Sequence, residues 1–370
     1  TNELARQKEQ IEQLVAKLMP QSAVNEIRDQ GKAKTHRYEM VTVLFADIQG
    51  FTKYAESTKP EEVIKYLNVI FNSFDNIIAK YNIEKIKTIG DAYMCAGGMP
   101  KEDNINPIQV VLAALEMQRE IQRLNDTRDI KLEIRIGIHT GPVVAGVIGI
   151  KKLEYDIWGD TVNIASRMES YGMINKVNIS EQTYNHVKDF FVCQYRGKIE
   201  IKYKGEMEMY FVHEIKKALS VDGDRKTPNK NFFVKLQHVQ FKNIQEKILE
   251  KLQKSLPSNL YYHNVKHTID MLYIVEKIGR EEGVDEEEML LLKCAALFHD
   301  AGFISQYDNN EEIGASMAEA ELKNHGFTDE QIETVKRLIM ATKMPHKPKD
   351  LLEKIMCDAD LDYLGRPDFI

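Results

Sequence analysis

Two stretches decide the fold of this chain's first half: Val43-Leu44-Phe45-Ala46-Asp47-Ile48-Gln49-Gly50 and Lys87-Thr88-Ile89-Gly90-Asp91-Ala92-Tyr93-Met94. Each combines an apolar run with an aspartate that has a glycine within three residues of it, a pattern typical of buried strands at a turn. If these strands are neighbours in one sheet, Asp47 and Asp91 lie side by side at one end of it. Two such carboxylates favour a divalent cation, above all magnesium bound to a polyphosphate. The alternative is that both aspartates simply terminate strands.

The surrounding sequence alternates strand and helix patterns, as an α/β two-layer sandwich does. Proline and acidic residues in a first turn predict a helix from Lys59 to about Tyr81. The patterns also predict helices at about 106–125 and 160–170, and strands at Met40–Phe45, Ile86–Ile89, Ala92–Ala96, 131–139 and 142–149.

Five motifs in this order resemble the class III nucleotidyl cyclases. Besides the two opening stretches, they are Arg135–Gly146, Tyr155–Met168 and Lys204–Val212. The resemblance implies an α/β ferredoxin-like (βαββαβ) domain over residues 38–215, which works as a head-to-tail homodimer with active sites in the dimer cleft. The implied reaction is attack of a ribose 3′-hydroxyl on the α-phosphorus of the same nucleotide, with loss of pyrophosphate.

The resemblance assigns the metal and phosphate contacts to the first two motifs. Asp47, Asp91 and the backbone of Ile48 would bind two Mg²⁺ or Mn²⁺ ions. The turn that follows Asp47 would hold the phosphates with consecutive backbone N–H groups. Its implied substrate-binding residues are Ile48, Gly50, Phe51 and Thr52.

Two residues of the predicted helix 160–170 carry the implied catalysis. Asn163 and Arg167 are four residues apart and share one helix face; the family pattern gives Asn163 the ribose and Arg167 the charge on the pentavalent phosphate. The alternative is a solvated helix face. Lys204 matches the triphosphate-binding lysine of the family, although alone it reads as a surface lysine. Pro142 stands where some relatives have a phosphate-binding arginine, and it is given no role.

Lys87 and Asp156 decide the expected base. A lysine can donate to adenine N1, and an aspartate can accept from the exocyclic N6 amine. Guanine presents the reverse pattern, and guanylyl cyclases typically carry Glu and Cys at these positions. In a buried pocket the wrong base would leave both groups unpaired. The sequence therefore predicts ATP as substrate, with guanylyl cyclase activity or a catalytically silent dimerisation module as alternatives.

Composition limits the other classes of function. The chain has 370 residues, 43% of them apolar and 29% charged, enough for two ordinary globular domains. Its net charge of −7 argues against a nucleic-acid partner. The four cysteines show no paired spacing, which favours a reducing, cytoplasmic location. No apolar run reaches membrane-spanning length.

The first segment, residues 1–37, is predicted to be a helix and a connector. Residues 3–19 form a short heptad seam, which favours a parallel coiled coil over an amphipathic helix packed on its own domain. Because the chain begins at Thr1 in helical register, we expect a fragment of a longer protein. Its upstream part would hold a sensor, and membrane attachment there is left open.

A polar linker at 216–231 separates this domain from a second one, residues 232–370, which is predicted to be all-α. It contains Tyr262-His263-Asn264-Val265-Lys266-His267, Ala296-Leu297-Phe298-His299-Asp300 and Cys357-Asp358-Ala359-Asp360. A His-Asp pair inside an apolar helix favours a metal site, because a buried charged pair is otherwise costly.

These motifs resemble the HD phosphohydrolase superfamily. The resemblance implies a divalent metal held by His267, His299, Asp300 and Asp360, with Asp358 the rival for the last place. The first motif also resembles cyclic-nucleotide phosphodiesterases, whose general acid would be His263 here. Phe303 departs from that family, which has a histidine there. The alternatives are a truncated regulatory domain, or a phosphohydrolase that the cyclase fold regulates.

Overall fold

The computed structural model describes residues 6–7, 15, 19–127, 132–149, 153–201, 204–257 and 263–365, without the side chains of Thr52, Lys53 and Tyr363. The chain divides into two compact units, Thr1–Pro228 and Asn229–Ile370. Nearly all of the heptad seam predicted at 3–19 lies outside the described residues. No helix among the described ranges is both long and apolar enough to cross a membrane.

The first unit is built on one mixed sheet. Its strands are β1 (His36–Gln49), β2 (Glu84–Ile89), β3 (Ala92–Gly97), β4 (Glu133–Ile148), β5 (Glu154–Trp158), β6 (Val177–Ser180), β7 (Phe191–Ile201) and β8 (Gly205–Ile215). The order is β2-β3-β1-β4-β6-β8-β7, and β5 pairs with β4. The first four strands lie in the antiparallel order of a ferredoxin-like βαββαβ unit, so the predicted fold class is confirmed.

Antiparallel pairing fixes the two aspartate motifs next to each other. Asp47, near the end of β1, is paired with Ala92, the first residue of β3. Asp91 directly precedes Ala92, in the turn that joins β2 to β3. The expectation that the two strands are neighbours is therefore confirmed.

Helices cover the sheet and connect its strands. They are α1 (Gln21–Gln30), α2 (Phe51–Ser57), α3 (Pro60–Lys80), α4 (Asn106–Thr127), α5 (Asp160–Ser170) and α6 (Glu181–Val187). The sequence predicted α3, α4 and α5 to within two residues at each end. Ala165 of α5 joins Val43 and Phe45 in one apolar cluster, so α5 covers the face of β1 that carries these residues.

Gly137 of β4 lets α5 approach the sheet unusually closely. A Cβ atom added there would lie 1.8 Å from the backbone nitrogen of Glu169. Only glycine fits such a backbone contact. The Nδ2 of Asn178 also donates to the carbonyl oxygen of Met168, at 2.8 Å. The C-terminal end of α5 is therefore fixed to the middle of the sheet.

The prediction of two strands at 131–139 and 142–149 was wrong, because β4 runs without a break from Glu133 to Ile148. Pro142 does not end the strand, although it has no N–H to donate. The pairing with β1 shifts between Tyr38 and Val41, which face Val143 and Gly141. This bulge accommodates the proline inside a continuous strand.

The second unit is helical. Its helices are α7 (Lys230–Ser255), α8 (Val265–Glu282), α9 (Glu286–Phe298), α10 (Asn310–Lys323), α11 (Asp329–Ala341) and α12 (Leu351–Leu361). The very apolar α9 has eight buried residues and contributes all of them to one core with α8, α11 and α12. The predicted linker, 216–231, contains two short 3₁₀ turns and the start of α7.

Candidate cyclase site and metal centre

Asp47 and Asp91 meet at one end of the sheet with two polar neighbours. Gln49 donates from Nε2 to the Asp47 carboxylate. The Nη2 of Arg135, opposite Asp47 on β4, lies 3.6 Å from the Oδ2 of Asp47. Burial raises the pKa of Asp47, and the Glu169 and Asp91 carboxylates raise it further, while Arg135 lowers it. Crowded carboxylates of this kind fit a hard divalent cation with oxygen ligands.

The turn after Asp47 presents backbone groups rather than side chains to a ligand. Ile48 and Phe51 are buried, so their side chains contribute to the core. Gly50 has a φ of +81° and precedes α2, a conformation that favours glycine. Thr52 lies in α2, and its side chain is outside the described part. This geometry fits the expected phosphate contacts if the backbone N–H groups of the turn, rather than its side chains, bind the phosphates.

Lys87 and Asp156 contact each other. The Nζ of Lys87, on β2, lies 2.5 Å from the Oδ2 of Asp156, on β5. The backbone N–H of Ile157 donates to the other oxygen of Asp156, at 2.9 Å. The Lys87 side chain is 42% exposed and that of Asp156 is 16% exposed. A donor and an acceptor therefore lie side by side, but in the single chain their pocket is not buried as expected.

Asn163 and Arg167 lie on α5 as predicted, one exposed and the other half-buried. Lys204 bonds to the first turn of the same helix, since its Nζ lies 2.5 Å from the Oδ1 of Asp160. Asp160 also lines a cleft of about 470 Å³ together with Pro142 and Trp158. One helix thus brings together the predicted catalytic pair and the predicted triphosphate-binding lysine.

Sequence reasoning missed Arg135 and Glu169. The Nε of Arg135 donates to the Oε1 of Glu169 at 2.6 Å, and Glu169 is buried at the end of α5. Both residues were inside the quoted motifs or next to them. Because they are 34 residues apart, only the docking of α5 on β4 shows that they pair with each other and reach Asp47.

The second unit contains a cluster of two histidines and two aspartates at its centre. The Nε2 of His267 lies 3.1 Å from the Nε2 of His299 and 3.1 Å from the Oδ1 of Asp360. The Oδ2 of Asp300 lies 3.3 Å from the Nε2 of His299 and 3.5 Å from that of His267. All four residues predicted for this centre therefore converge.

Local structure orients the two imidazoles. Asn264 caps α8 by accepting from the backbone N–H of His267, which fixes that residue in the first turn. The Nδ1 of His299 donates to the carbonyl oxygen of Ala296 at 2.8 Å, which leaves its Nε2 to face His267 and the carboxylates. The close approach of two imidazole nitrogens and two carboxylates is favourable only with positive charge among them, carried by a bound cation or by a protonated imidazole. This donor set fits a divalent metal that accepts both nitrogen and oxygen.

Burial and neighbouring charges shift the pKa values of His299 and Asp300 at this centre. Burial lowers the pKa of His299, but Asp300 and Asp360 outweigh that effect and raise it to about 9. Burial raises the pKa of Asp300, yet His299 and His263 hold it below its ordinary range. The cluster therefore favours the charged carboxylate and a positive partner beside it.

The neighbours of the cluster decide between the two candidate aspartates. Asp360 faces His267, whereas Asp358, two residues earlier on α12, is exposed. The Nδ1 of His263 lies 2.8 Å from the Oδ2 of Asp300. The ring of Phe303 packs on His263 at 4.5 Å, where the phosphodiesterase pattern expects a histidine. Asp360, not Asp358, therefore lies in the cluster.

Comparison with known families agrees with this geometry. The family described as "Adenylate and Guanylate cyclase catalytic domain" matches residues 33–214. The family described as "HD domain" matches residues 264–362. Cyclase and HD domains of these families are generally dependent on divalent metals.

Individual relatives fall on both sides of the choice of nucleotide. An adenylate cyclase of Mycobacterium tuberculosis is 37% identical over 202 residues, which are 54% of this chain and 46% of that protein. The guanylate cyclase soluble subunit beta-2 of Rattus norvegicus is 37% identical over 214 residues, 57% of this chain and 31% of that protein. The crystal structure of the adenylyl cyclase CyaB from P. aeruginosa is 30% identical, covers 49% of this chain and 96% of that chain, and has a TM-score of 0.47. The chain spans less than half the length of these two curated relatives.

The choice of Asp360 over Asp358 predicts different effects of the same chemical change. D360N removes a carboxylate that faces His267, so the affinity for added Mn²⁺ at this centre should fall by roughly 100-fold or more. At metal concentrations near 100 times the wild-type dissociation constant, the wild type gains about 2.7 kcal/mol from the metal, and a variant that binds roughly 100-fold more weakly should lose about 2.3 kcal/mol of this stabilisation. Metal analysis after dialysis and thermal unfolding measure the two effects.

D358N is the matched control, because Asp358 is exposed on the same helix. It should retain the metal content and unfolding temperature of the wild type. Metal loss in D358N with retention in D360N would contradict the assignment.

Proposed function

Because this chain belongs to the adenylate and guanylate cyclase family through residues 33–214 and carries an HD domain over residues 264–362, we propose that it is an adenylyl cyclase. It would convert ATP to 3′,5′-cyclic AMP and pyrophosphate. The observation that carries the choice of ATP is the contact of Lys87 with Asp156, Nζ to Oδ2 at 2.5 Å. Together they offer the donor and the acceptor that the N1 and N6 edge of adenine requires.

In the proposed reaction, each predicted residue takes a role that fits its position. Two divalent cations bound by Asp47 and Asp91, with the Ile48 carbonyl, would activate the 3′-hydroxyl and neutralise the triphosphate. The N–H groups of the turn around Gly50 would bind the phosphates. Lys204 would leave Asp160 and bind the triphosphate instead.

The catalytic pair on α5 acts at the reacting atoms in this proposal. Asn163 would orient the ribose, and Arg167 would stabilise the charge that develops on the α-phosphate. Neither side chain forms a hydrogen bond or an ion pair in the described part of the chain, which leaves both available for substrate.

We further propose a head-to-tail homodimer with two equivalent sites. One subunit would supply Asp47, Asp91 and the phosphate turn. Its partner would supply α5 with Asn163 and Arg167, and also Lys87, Asp156 and Lys204. This division is supported by the presence of the whole set of motif residues in a single chain.

A second activity is favoured by the His267, His299, Asp300 and Asp360 cluster, which suits a divalent metal. We propose a metal-dependent phosphohydrolase there. The Asp300 carboxylate contacts the Nδ1 of His263. The Nε2 of His263 would therefore be the atom that serves as general acid. Cyclic-nucleotide hydrolysis is one such reaction.

The first test is incubation of the purified chain with ATP or GTP and Mg²⁺ or Mn²⁺, with all nucleotide products separated by chromatography. Cyclic AMP should form from ATP, and D47N should reduce its rate by roughly 100-fold or more because a metal ligand is lost. D126N, a change on the exposed end of α4, should leave the rate unchanged. If AMP then grows as cyclic AMP declines, and H267A prevents this, the HD domain is a phosphodiesterase.

Other products would overturn parts of this proposal. Cyclic GMP as the main product would make the chain a guanylyl cyclase. No cyclic product with any of the metals would make the first domain a silent dimerisation module and the HD domain the main activity.

Exchange of the base-contacting pair should reverse the preference. K87E/D156C presents an acceptor in place of the lysine and removes the acceptor at residue 156, so the ratio of kcat/KM for ATP over GTP should fall by roughly 10- to 100-fold. K85E changes a neighbouring lysine of β2 that pairs with Asp75, and it should keep the ATP preference. An unchanged ratio in the double variant would show that these residues do not read the base.

Shared sites predict complementation between two inactive variants. In an equal mixture of D47N and R167A chains, half of the dimers are mixed and each mixed dimer has one intact site, so activity should return to about a quarter of the wild type. Each variant alone should stay inactive. No recovery after subunit exchange, confirmed by mixed dimers on native mass spectrometry, would mean that each chain forms its own site.

A further inference from the structure

The end of the sheet that holds Asp47 contains more negative charge than the two expected ligands provide. Besides Asp91, the Glu169 carboxylate acts on Asp47, and Arg135 joins the two, with its Nη2 at 3.6 Å from the Oδ2 of Asp47 and its Nε bonded to Glu169. Glu169 has no role in the proposed reaction. A third carboxylate this near to a divalent-cation site would compete to bind the ion, because such ions take any oxygen within reach.

The backbone that carries Glu169 cannot move away from the site, because its helix is fixed. The backbone of α5 contacts β4 at Gly137, where an added Cβ would lie 1.8 Å from the nitrogen of Glu169. The Asn178 side chain also bonds to the carbonyl oxygen of the preceding residue, Met168. Glu169 is only 8% exposed, so its charge needs a partner in place.

Arg135 is that partner. Its Nε bonds to the Oε1 of Glu169 at 2.6 Å, whereas its Nη2 lies 3.6 Å from the Oδ2 of Asp47. The second oxygen of Glu169 accepts from the Ser170 hydroxyl at 3.1 Å. The guanidinium therefore lies between the two carboxylates, in hydrogen-bond contact with Glu169 and at longer range from Asp47.

We propose that Arg135 is a positioning residue of the cyclase site that holds Glu169 away from the divalent cation and leaves Asp47 and Asp91 as its carboxylate ligands. This inference rests on the proposed metal-binding role of Asp47 and Asp91. Arg135 touches neither the substrate nor the reacting atoms in this account. It acts through the two carboxylates between which it lies.

Loss of Arg135 and loss of the Glu169 charge should then change the affinity for the metal ion in opposite directions. Without the arginine, Glu169 becomes a free extra ligand, so the ion binds more tightly but in a geometry unsuited to the reaction. Without the Glu169 charge, the arginine is left to Asp47 alone and competes with the ion for it. A pair that served only to stabilise the fold would shift both variants the same way.

The experiment compares R135Q, E169Q and R135Q/E169Q in the full chain. Mn²⁺ binding is measured by electron paramagnetic resonance, and the Mn²⁺ dependence of cyclic-nucleotide formation is measured in parallel. R135Q should need roughly tenfold less Mn²⁺ and lose roughly 100-fold in kcat, while E169Q should need roughly tenfold more Mn²⁺ and keep kcat at saturation within about threefold. The double variant should return to within about threefold of the wild-type Mn²⁺ requirement, as expected of coupled residues.

Three controls keep this test interpretable. R135K retains the charge beside Glu169 and should keep the wild-type Mn²⁺ requirement. R123Q and E120Q break an exposed Arg–Glu pair of the same kind on α4 and should change neither readout. Circular dichroism and thermal unfolding identify any variant that fails to fold, in which case R135K and E169Q carry the test.

The outcomes separate this inference from the proposed function. Mn²⁺ bound in the HD domain is common to all variants, and D47N provides the baseline for the cyclase site. If D47N loses Mn²⁺ at that site but R135Q and E169Q shift in the same direction, the role of Arg135 is wrong and the metal site stands. If D47N binds Mn²⁺ as the wild type does and the wild type makes no cyclic nucleotide, the proposed function itself fails.

Discussion

The backbone pairing of β1 with its two neighbours is the constraint on which the cyclase site depends. Asp47 is paired with Ala92 on one side and with Arg135 on the other. The hydrogen bonds of the sheet, rather than the side chains, therefore decide that two carboxylates and a guanidinium meet. A shift of one residue would turn every side chain to the opposite face. Since the central part of β1 is buried on both faces, such a shift would place each side chain in packing formed around a different residue and is strongly disfavoured.

Local sequence was sufficient where one element decides the outcome. Turn and helix rules account for the turn at Gly90-Asp91, for the start of α3 at Pro60 and for the shared helix face of Asn163 and Arg167. Local sequence was not sufficient where the outcome depends on a residue that is distant along the chain. The bulge of β1 opposite Pro142 allows a strand that a proline should have ended. The pairing of Arg135 with Glu169 depends on helix docking, which no spacing in the sequence encodes.

The choice between Asp358 and Asp360 illustrates the same limit. Both are aspartates of one motif, and the resemblance favoured Asp360 while it kept Asp358 as a rival. Two residues along a helix correspond to a rotation of about 200°, so only one of them can face the histidines. Which one does so depends on how α12 packs against α8 and α9, and that packing is set by apolar residues of the core.

Gly137 also limits how this domain can respond to a signal. With backbone against backbone at this point, α5 cannot slide or lift relative to β4 without the loss of van der Waals contact along the whole interface. The helix and the sheet end must therefore move as one rigid body. In the proposed homodimer, a rotation of one subunit relative to the other would therefore carry α5 and its sheet together.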